Sequence, residues 1–423
     1  MRIAIIGTGI SGLTAAWLLA LDHEITVFES EPRIGGHTHT HDFPSGGKSW
    51  PVDSGFIVCN DRTYPNFLPL MKHLGVPLRP TTMSFSARIE ATGLEYCGSS
   101  IDALFAQRGN FFRFSFLRMV REILRFHKEA LELLGDGGEI PLGEWLKAHG
   151  YHREFIDHYI VPMGGAIWSS PPAVMLRFPA RFFVRFFHHH GMMTVNDRPQ
   201  WYTVVGGSRA YLEPLTAPFR QAIRQGAPVT GVTRSAQGVH VRTATGTEVF
   251  DRAVLACHAD TALGLIGDPS VAEREILSCF PYQENHVTIH TDTSLMPRSR
   301  KCWSAWNAHV LDGREQAVAV TYDLSALMGH EAPDRFLVTL NHDRADPHKV
   351  LRRVTYQHPL FVAGSPGAQA RHAEINGVDR LHFAGAYWRW GFHEDGVRSA
   401  LAAVKPLTSR TIPGTPPGVE LGI

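Results

Sequence analysis

The chain opens on a strand, a glycine turn, a helix and a second strand, and that order constrains the fold more than anything else in it. Residues 2–6, Arg-Ile-Ala-Ile-Ile, form a short β-branched run suited to a strand buried on both faces. Gly7-Thr8-Gly9-Ile10-Ser11-Gly12 comes at once, and the Ala- and Leu-rich stretch from Leu13 to Leu21 reads as a helix. A second strand, Glu24 to Phe28, ends at Glu29. Each piece has a physical task. Gly7 permits the tight turn, Gly9 lets backbone approach a pyrophosphate, and Gly12 lets the helix pack close to the strand. The free N–H groups at Ile10 and Ser11 begin the helix, where its dipole favours phosphate. Glu29 stands where a carboxylate accepts ribose hydroxyls; an arginine there would suit a 2′-phosphate instead. The order predicts a Rossmann-like dinucleotide-binding fold.

A chain of 423 residues exceeds one simple core, so two interleaved domains are expected. With 41 basic and 40 acidic residues there is no global excess to hold nucleic acid, and a charge-driven contact must come from a local patch. Cys59, Cys97, Cys257, Cys279 and Cys302 are odd in number and lack a CxxC spacing. They read as reduced thiols of a cytoplasmic protein rather than a disulfide frame or a zinc site. Ile3–Ile6 is too short for a signal peptide, and no apolar run of about 18 residues is present to span a bilayer.

The residues after Glu29 decide which dinucleotide is expected. Ser30-Glu31-Pro32-Arg33-Ile34-Gly35-Gly36-His37 completes the pattern E-x-x-x-R-x-G-G, which resembles the flavin-containing amine oxidase and phytoene desaturase superfamily. The resemblance implies non-covalent FAD, with Arg33, Gly35 and Gly36 along the pyrophosphate and ribityl chain. Val52-Asp53-Ser54-Gly55 fits the next strand and turn of that family, and residues 204–213 fit a paired-glycine turn that re-enters the FAD domain. Val229 is then the candidate for a backbone clamp on the adenine. Leu381 to Gly385 reads as a strand ending in glycine, and Gly391-Phe392-His393-Glu394-Asp395-Gly396-Val397 resembles the family's closing motif. In that motif a helix N-terminus faces the flavin and stabilises its anionic reduced form. Ala386 departs from the family's usual acid, so Glu394 or Asp395 is expected to replace that contact. The expected fold class is α/β plus α+β: a Rossmann-like FAD-binding domain from residues 1–60, 200–270 and 375–405, interleaved with a substrate domain from 61–199 and 271–374 built on a mixed sheet with helices. Residues 406–423 are expected to be a flexible tail.

Two further segments mix arginine with phenylalanine. In 104–134, Arg118, Arg121 and Arg125 share a helical face opposite Phe116, Met119, Val120 and Ile123. In 176–190, Arg177, Arg181 and Arg185 recur every four residues among five phenylalanines. Such segments suit the surface of an anionic membrane, and equally a pair of core helices with basic outer faces. Drawing about ten methylenes of an acyl chain into water would cost on the order of 8 kcal/mol, so an enzyme acting on such a chain needs an apolar mouth at the bilayer.

Several stretches, among them Phe178-Pro179-Ala180-Arg181, Arg198-Pro199-Gln200-Trp201 and Gly385-Ala386-Tyr387-Trp388, resemble a narrower bacterial branch of the superfamily. That branch is similar to the flavin domain of plant cyclopropane fatty-acid synthases and includes the desaturase of furan fatty-acid synthesis. The resemblance implies dehydrogenation of a methylated unsaturated acyl chain of membrane phospholipid to a methyl-diene. It also implies a location peripheral to the inner membrane, with a fatty-acid methyltransferase as partner. The alternatives are an amine or amino-acid oxidase of the same fold, and a flavin-bearing partner of a methyltransferase without redox turnover. His290 falls where several amine oxidases carry a lysine that holds a water at the flavin; it is read as a proton acceptor or a structural histidine. Tyr387, Trp388 and Trp390 are read as an aromatic wall beside the flavin or as packing. His393 and Glu394 are candidates at the turn next to the ring, with Glu394 an acid, a base or a helix cap. His37, His39 and His41 would share a strand face, but beside the paired glycines no metal is expected.

Overall fold

Burial on both faces makes the first strand the centre of a parallel sheet. The computed structural model describes residues 1–135, 140–168, 171–194, 197–312 and 318–416. The elements that frame the site are, in chain order, β1 (Arg2–Ile6), α1 (Ile10–Leu19), β2 (Glu24–Phe28), α2 (Phe67–His73), α3 (Phe114–Glu129), α4 (Ala180–His189), β3 (Ile223–Arg224), β4 (Arg252–Leu255), β5 (Tyr282–His290), β6 (Val350–Pro359), β7 (Leu381–Phe383) and α5 (His393–Val404). Strands β3-β2-β1-β4-β7 form the parallel sheet in that spatial order. Along β1 the side chains alternate between two cores. Ile3 and Ile5 pack with Leu13, Ala16 and Ala400, while Ala4 and Ile6 pack with Val241, Phe250 and Phe383. Helices α1 and α5 cover the first face, and a three-stranded antiparallel sheet over 229–250 covers the second.

The intervening segments build a seven-stranded mixed sheet with β6 at one edge and β5 beside it. One pair in that sheet is parallel, Trp306–Val310 with Phe85–Ile89, and the rest are antiparallel. Helices α3 and α4 pack over it around Phe116, Phe126, Phe155, Trp168, Phe183 and Phe187. This is the α/β plus α+β arrangement expected from the sequence. Among the described residues no helix is long and apolar enough to cross a membrane.

Three expectations are corrected. The boundary at residue 60 falls short, because Phe67, Leu70 and Met71 of α2 and Val76 beyond it pack into the core of the parallel sheet. The tail is docked as far as the structure describes it: Ile412 is buried in that core and Arg410 pairs with Asp22 at 2.9 Å. Residues 417–423 lie outside the described residues. Phe178, Phe182, Phe183, Phe186 and Phe187 are all buried, so segment 176–190 presents no phenylalanine to a membrane. Its apolar face is spent on the interior.

Candidate cofactor and active site

The turn after β1 is built so that two glycines are obligatory and a third is left open. Gly7 has φ +106°, and a Cβ there would lie 2.7 Å from the Ala256 carbonyl oxygen. A Cβ on Gly12 would lie 2.0 Å from the Gly7 carbonyl oxygen. Gly9 differs: nothing stands within 4 Å of where its Cβ would be. Gly9 is the N-cap of α1, and no side chain caps that helix, so the N–H groups of Ile10, Ser11 and Gly12 face an open backbone surface.

Distant motifs converge on this surface. Gly36, at φ +56°, rests on Gly9, with its Cβ position 3.1 Å from the Gly9 Cα. Arg33 donates to the Gly36 carbonyl at 2.8 Å, and Gly35 N–H donates to the Thr8 carbonyl at 3.0 Å. A Cβ on Gly55 would meet the His37 carbonyl oxygen, which accepts from Phe56 N–H at 2.8 Å. From the other end of the chain, Gly396 lies against Ile10 and Ser11, Val397 is buried beneath it, and Gly385 N–H donates to Ser399 Oγ at 2.8 Å. Glu29 ends β2 with its carboxylate accepting from Thr8 N–H at 3.0 Å and Glu31 N–H at 2.9 Å, with Ser30 Oγ at 3.3 Å. Ala227 N–H donates to the Glu29 carbonyl, which brings the strand opened by Val229 to the same edge. His37 Nε2 is buried without a partner. An uncapped helix start flanked by three close-packed glycine segments, with a carboxylate at the next strand end, fits the pyrophosphate and ribose of FAD.

The closing segment is dominated by paired buried charge. Glu394 accepts from Asn66 N–H at 3.2 Å, Asn66 Nδ2 at 2.5 Å, Phe67 N–H at 2.9 Å and Arg398 Nε at 3.2 Å. It therefore anchors the start of α2 to α5, and burial pushes its carboxyl up to about 7. Asp395 accepts from Phe392 N–H at 2.9 Å and Trp390 N–H at 3.3 Å, with Arg389 at 3.9 Å, and burial raises it to about 6. Replacing Glu394 by Ala removes the buried acceptor of the Asn66 and Phe67 backbone N–H groups and of Asn66 Nδ2, and takes a carboxylate from beside Arg398. We expect a loss of about 3–5 kcal/mol by urea denaturation, and a smaller loss for Glu394→Gln, which keeps an acceptor.

Other candidates are held by hydrogen bonds and packing of their own. His290 ends β5, where Asp292 N–H donates to its Nδ1 at 3.0 Å, so its Nε2 carries the hydrogen toward Thr339 Oγ1 at 2.7 Å. His37 touches the opposite end of the same sheet, at Tyr356 and His358 of β6, which pair with Asn285 and Gln283. Five to seven residues of strand, roughly 16–23 Å, separate His290 from that end. Both of its ring nitrogens are engaged, and burial holds it neutral, down at about 4. His393 turns inward, stacked on Phe56 at 3.8 Å with Nε2 2.8 Å from the Tyr211 hydroxyl. Tyr387 and Trp388 pack on Phe280 in the core under the parallel sheet.

Trp390, the third residue read as an aromatic wall, packs with Phe392 against α4. Phe186 lies 6.0 Å from Trp390 and 5.2 Å from Phe392, Trp168 lies 4.9 Å from Phe186, and Phe361 lies 4.9 Å from Phe182. A narrow crevice runs beside these residues, lined by Thr63, Tyr64, His189, Arg389, Trp390 and Glu394. Arg389 is buried there with Nε unpartnered, and desolvation lowers it to about 10. Arg389, Asn66 and Trp168 were not legible as site residues, because nothing local marks them. All seven lysines of the chain are exposed, so none reaches this interior. Among the described residues no cluster of His, Cys, Asp and Glu could hold a metal.

Comparison with known proteins agrees with this geometry. Residues 10–275 match the family model described as flavin containing amine oxidoreductase. The chain is 47% identical over 55 residues to the flavin-dependent L-tryptophan oxidase RebO of Lentzea aerocolonigenes, and 39% identical over 85 residues to polyamine oxidase 4 of Oryza sativa subsp. japonica. Those matches cover 13% and 19% of this chain and only 12% and 16% of the relatives. Among solved structures, cyclohexylamine oxidase from Brevibacterium oxydans IH-35A superposes with a TM-score of 0.71 at 16% identity, over 96% of this chain and 98% of that one. A fatty acid isomerase from P. acnes, described as producing CLA, superposes with a TM-score of 0.67 at 17% identity, over the same shares.

Proposed function

The chain belongs to the flavin-containing amine oxidoreductase family and is an FAD-dependent oxidoreductase, and from that premise we propose that it dehydrogenates a fatty acyl chain. The proposed substrate is a methylated unsaturated acyl group of membrane phospholipid, and the product its methyl-diene. The shared fold does not choose the substrate, since it serves both an amine oxidase and a fatty acid isomerase. The lining of the site supports the choice. Trp390 and Phe392 line the crevice and back onto a buried aromatic cluster of Phe182, Phe186, Trp168 and Phe361, so the interior beside the crevice is apolar and suits methylenes. Glu394 and Asp395, the acidic residues that line the crevice, are already met by Asn66, Arg398, Arg389 and backbone N–H groups, which leaves neither free to hold an ammonium. FAD, when bound, supplies the acceptor for the hydride leaving the acyl chain. The chain's own residues hold the cofactor at Gly9 and Glu29, fix α5 through Glu394, and exclude water with the aromatic cluster.

A second reading, oxidation of an amino acid, draws on Arg389, whose unpartnered Nε would suit a carboxylate. Anaerobic mixing of the FAD-loaded protein separates the two. Phospholipid bearing a methylated monoene is expected to bleach the flavin and yield a product lacking two hydrogens. Bleaching by L-amino acids or polyamines but not by lipid would replace the acyl reading. FAD that no substrate reduces would leave a non-redox partner of a methyltransferase.

A further inference from the structure

Seven of the chain's exposed large hydrophobic side chains fall within 31 consecutive residues, Ile101, Phe111, Phe112, Phe114, Leu117, Leu124 and Leu131, and they include every exposed phenylalanine among the described residues. Phe112 is 92% exposed, Phe114 76% and Ile101 75%. These side chains are not frayed outliers. Phe111 stacks on Phe105 at 4.0 Å, and Phe105 meets the buried Phe116 at 5.5 Å, so the protrusion is braced from the core. Along α3 the outward positions Phe114, Leu117, Arg121, Leu124 and Lys128 keep helical spacing, with the short turn carrying Leu131 beyond them. A helix whose solvent face carries Phe and Leu between cations is inverted relative to an ordinary surface helix.

The charges around it are one-sided. Segment 101–131 carries six basic residues against three acidic, in a chain whose totals are 41 and 40. The three acids are already engaged: Asp102 with Arg108 and Lys301, Glu122 with His152, and Glu129 with Arg125. Arg113, Arg121 and Lys128 form no ion pair among the described residues. Arg300 is exposed on the turn that packs against the 101–104 helix.

We infer that this protrusion docks the protein on an anionic membrane, with Phe112 and Phe114 entering the acyl boundary and Arg113, Arg121 and Lys128 meeting lipid phosphates. Aromatic side chains ringed by unpaired cations match an anionic lipid surface in both depth and charge. A protein partner would need a complementary acidic face. The inference does not depend on which acyl chain is oxidised, and its test uses no turnover.

The FAD-loaded full-length protein is floated with vesicles of phosphatidylcholine alone and of phosphatidylcholine with phosphatidylglycerol. Flotation is expected only with the anionic vesicles and is expected to fall with added salt. The double change Phe112→Ser/Phe114→Ser, and separately Arg113→Glu/Arg121→Glu, should each lower the bound fraction at least tenfold. Retained flavin colour and melting temperature confirm the fold, and Val271→Ser, at an exposed apolar position elsewhere, should change nothing. Equal flotation of the variants, or none by the parent protein, overturns the inference. So does sedimentation as a dimer that Phe112→Ser/Phe114→Ser dissociates while vesicle binding persists, because the patch is then an interface between copies.

Discussion

Gly9→Ala is expected to give a folded but nearly colourless protein, whereas Gly12→Ala, one turn further along the same helix, should fail to assemble the turn at all. The difference comes from what each new methyl meets. At Gly9 the backbone has φ −62° and ψ 174°, which alanine adopts freely, and no atom lies within 4 Å of the added carbon. The apo fold should therefore keep its stability. The methyl instead occupies the surface where phosphate would approach the first N–H groups of α1. Loss of one or two hydrogen bonds to a charged group is about 1.5–3 kcal/mol, or roughly 10–100-fold in affinity for FAD. At Gly12 the same methyl would lie 2.0 Å from the Gly7 carbonyl oxygen and 3.2 Å from Ala256 Cβ. Backbone cannot step aside as a flexible side chain can, so β1, α1 and β4 must separate, at more than the roughly 1–3 kcal/mol of ordinary overpacking. Titration of each apo variant with FAD, alongside its melting curve, checks both. Normal FAD uptake by Gly9→Ala would mean that the dinucleotide does not lie on this turn.

The same contrast separates the legible features of the sequence from the illegible ones. Gly7, Gly12, Gly36 and Gly396 are fixed by close backbone approach, and such sterics leave a local spelling. The strand, turn, helix and Glu29 were legible for the same reason. The direction of a carboxylate is different. Glu394 has the spacing of a residue next to a ring, yet it turns to Asn66 and Phe67, which lie 328 and 327 residues away in the chain. His290 has the composition of a catalytic strand end, but sheet register sets it far from His37. The two Arg/Phe segments have nearly the same composition and opposite fates. The phenylalanines of α4 fill the space between Trp168 and Trp390, while Phe112 and Phe114 stand exposed. A helical pattern reports which residues share a face; the partner of that face is decided by elements far off in sequence.

Acidification between pH 6.5 and 5 is expected to unfold the protein and release its FAD, well above the range in which carboxylates usually drive acid unfolding. His41, His190, His290, His309, His382 and His393 are all buried, and burial holds them down at about 3 for His190 and His393 and about 4 for the other four. In the unfolded chain each regains an ordinary histidine value near 6.5. Below that pH the unfolded state binds protons that the folded state refuses, so stability present above pH 6.5 drains away as pH falls. At pH 5 the penalty is about 2 kcal/mol for each fully buried imidazole, and on the order of 10 kcal/mol for six. Three buried carboxyls work in the other direction. Asp53 and Asp395 are raised to about 6 and Glu394 to about 7, so the folded state prefers their protonated forms and gains as pH falls from 7. Their combined return by pH 5 is about 5 kcal/mol. The balance still loses several kcal/mol, against a total stability of about 5–15 kcal/mol. Far-UV circular dichroism and flavin fluorescence recorded together through the titration should show one transition with its midpoint in that window. His309→Phe isolates the cause, because neither ring nitrogen of His309 has a hydrogen-bond partner. It should leave stability at pH 7.5 little changed and move the midpoint to lower pH. A midpoint below pH 4, or one indifferent to His309→Phe, would return the explanation to the carboxylates.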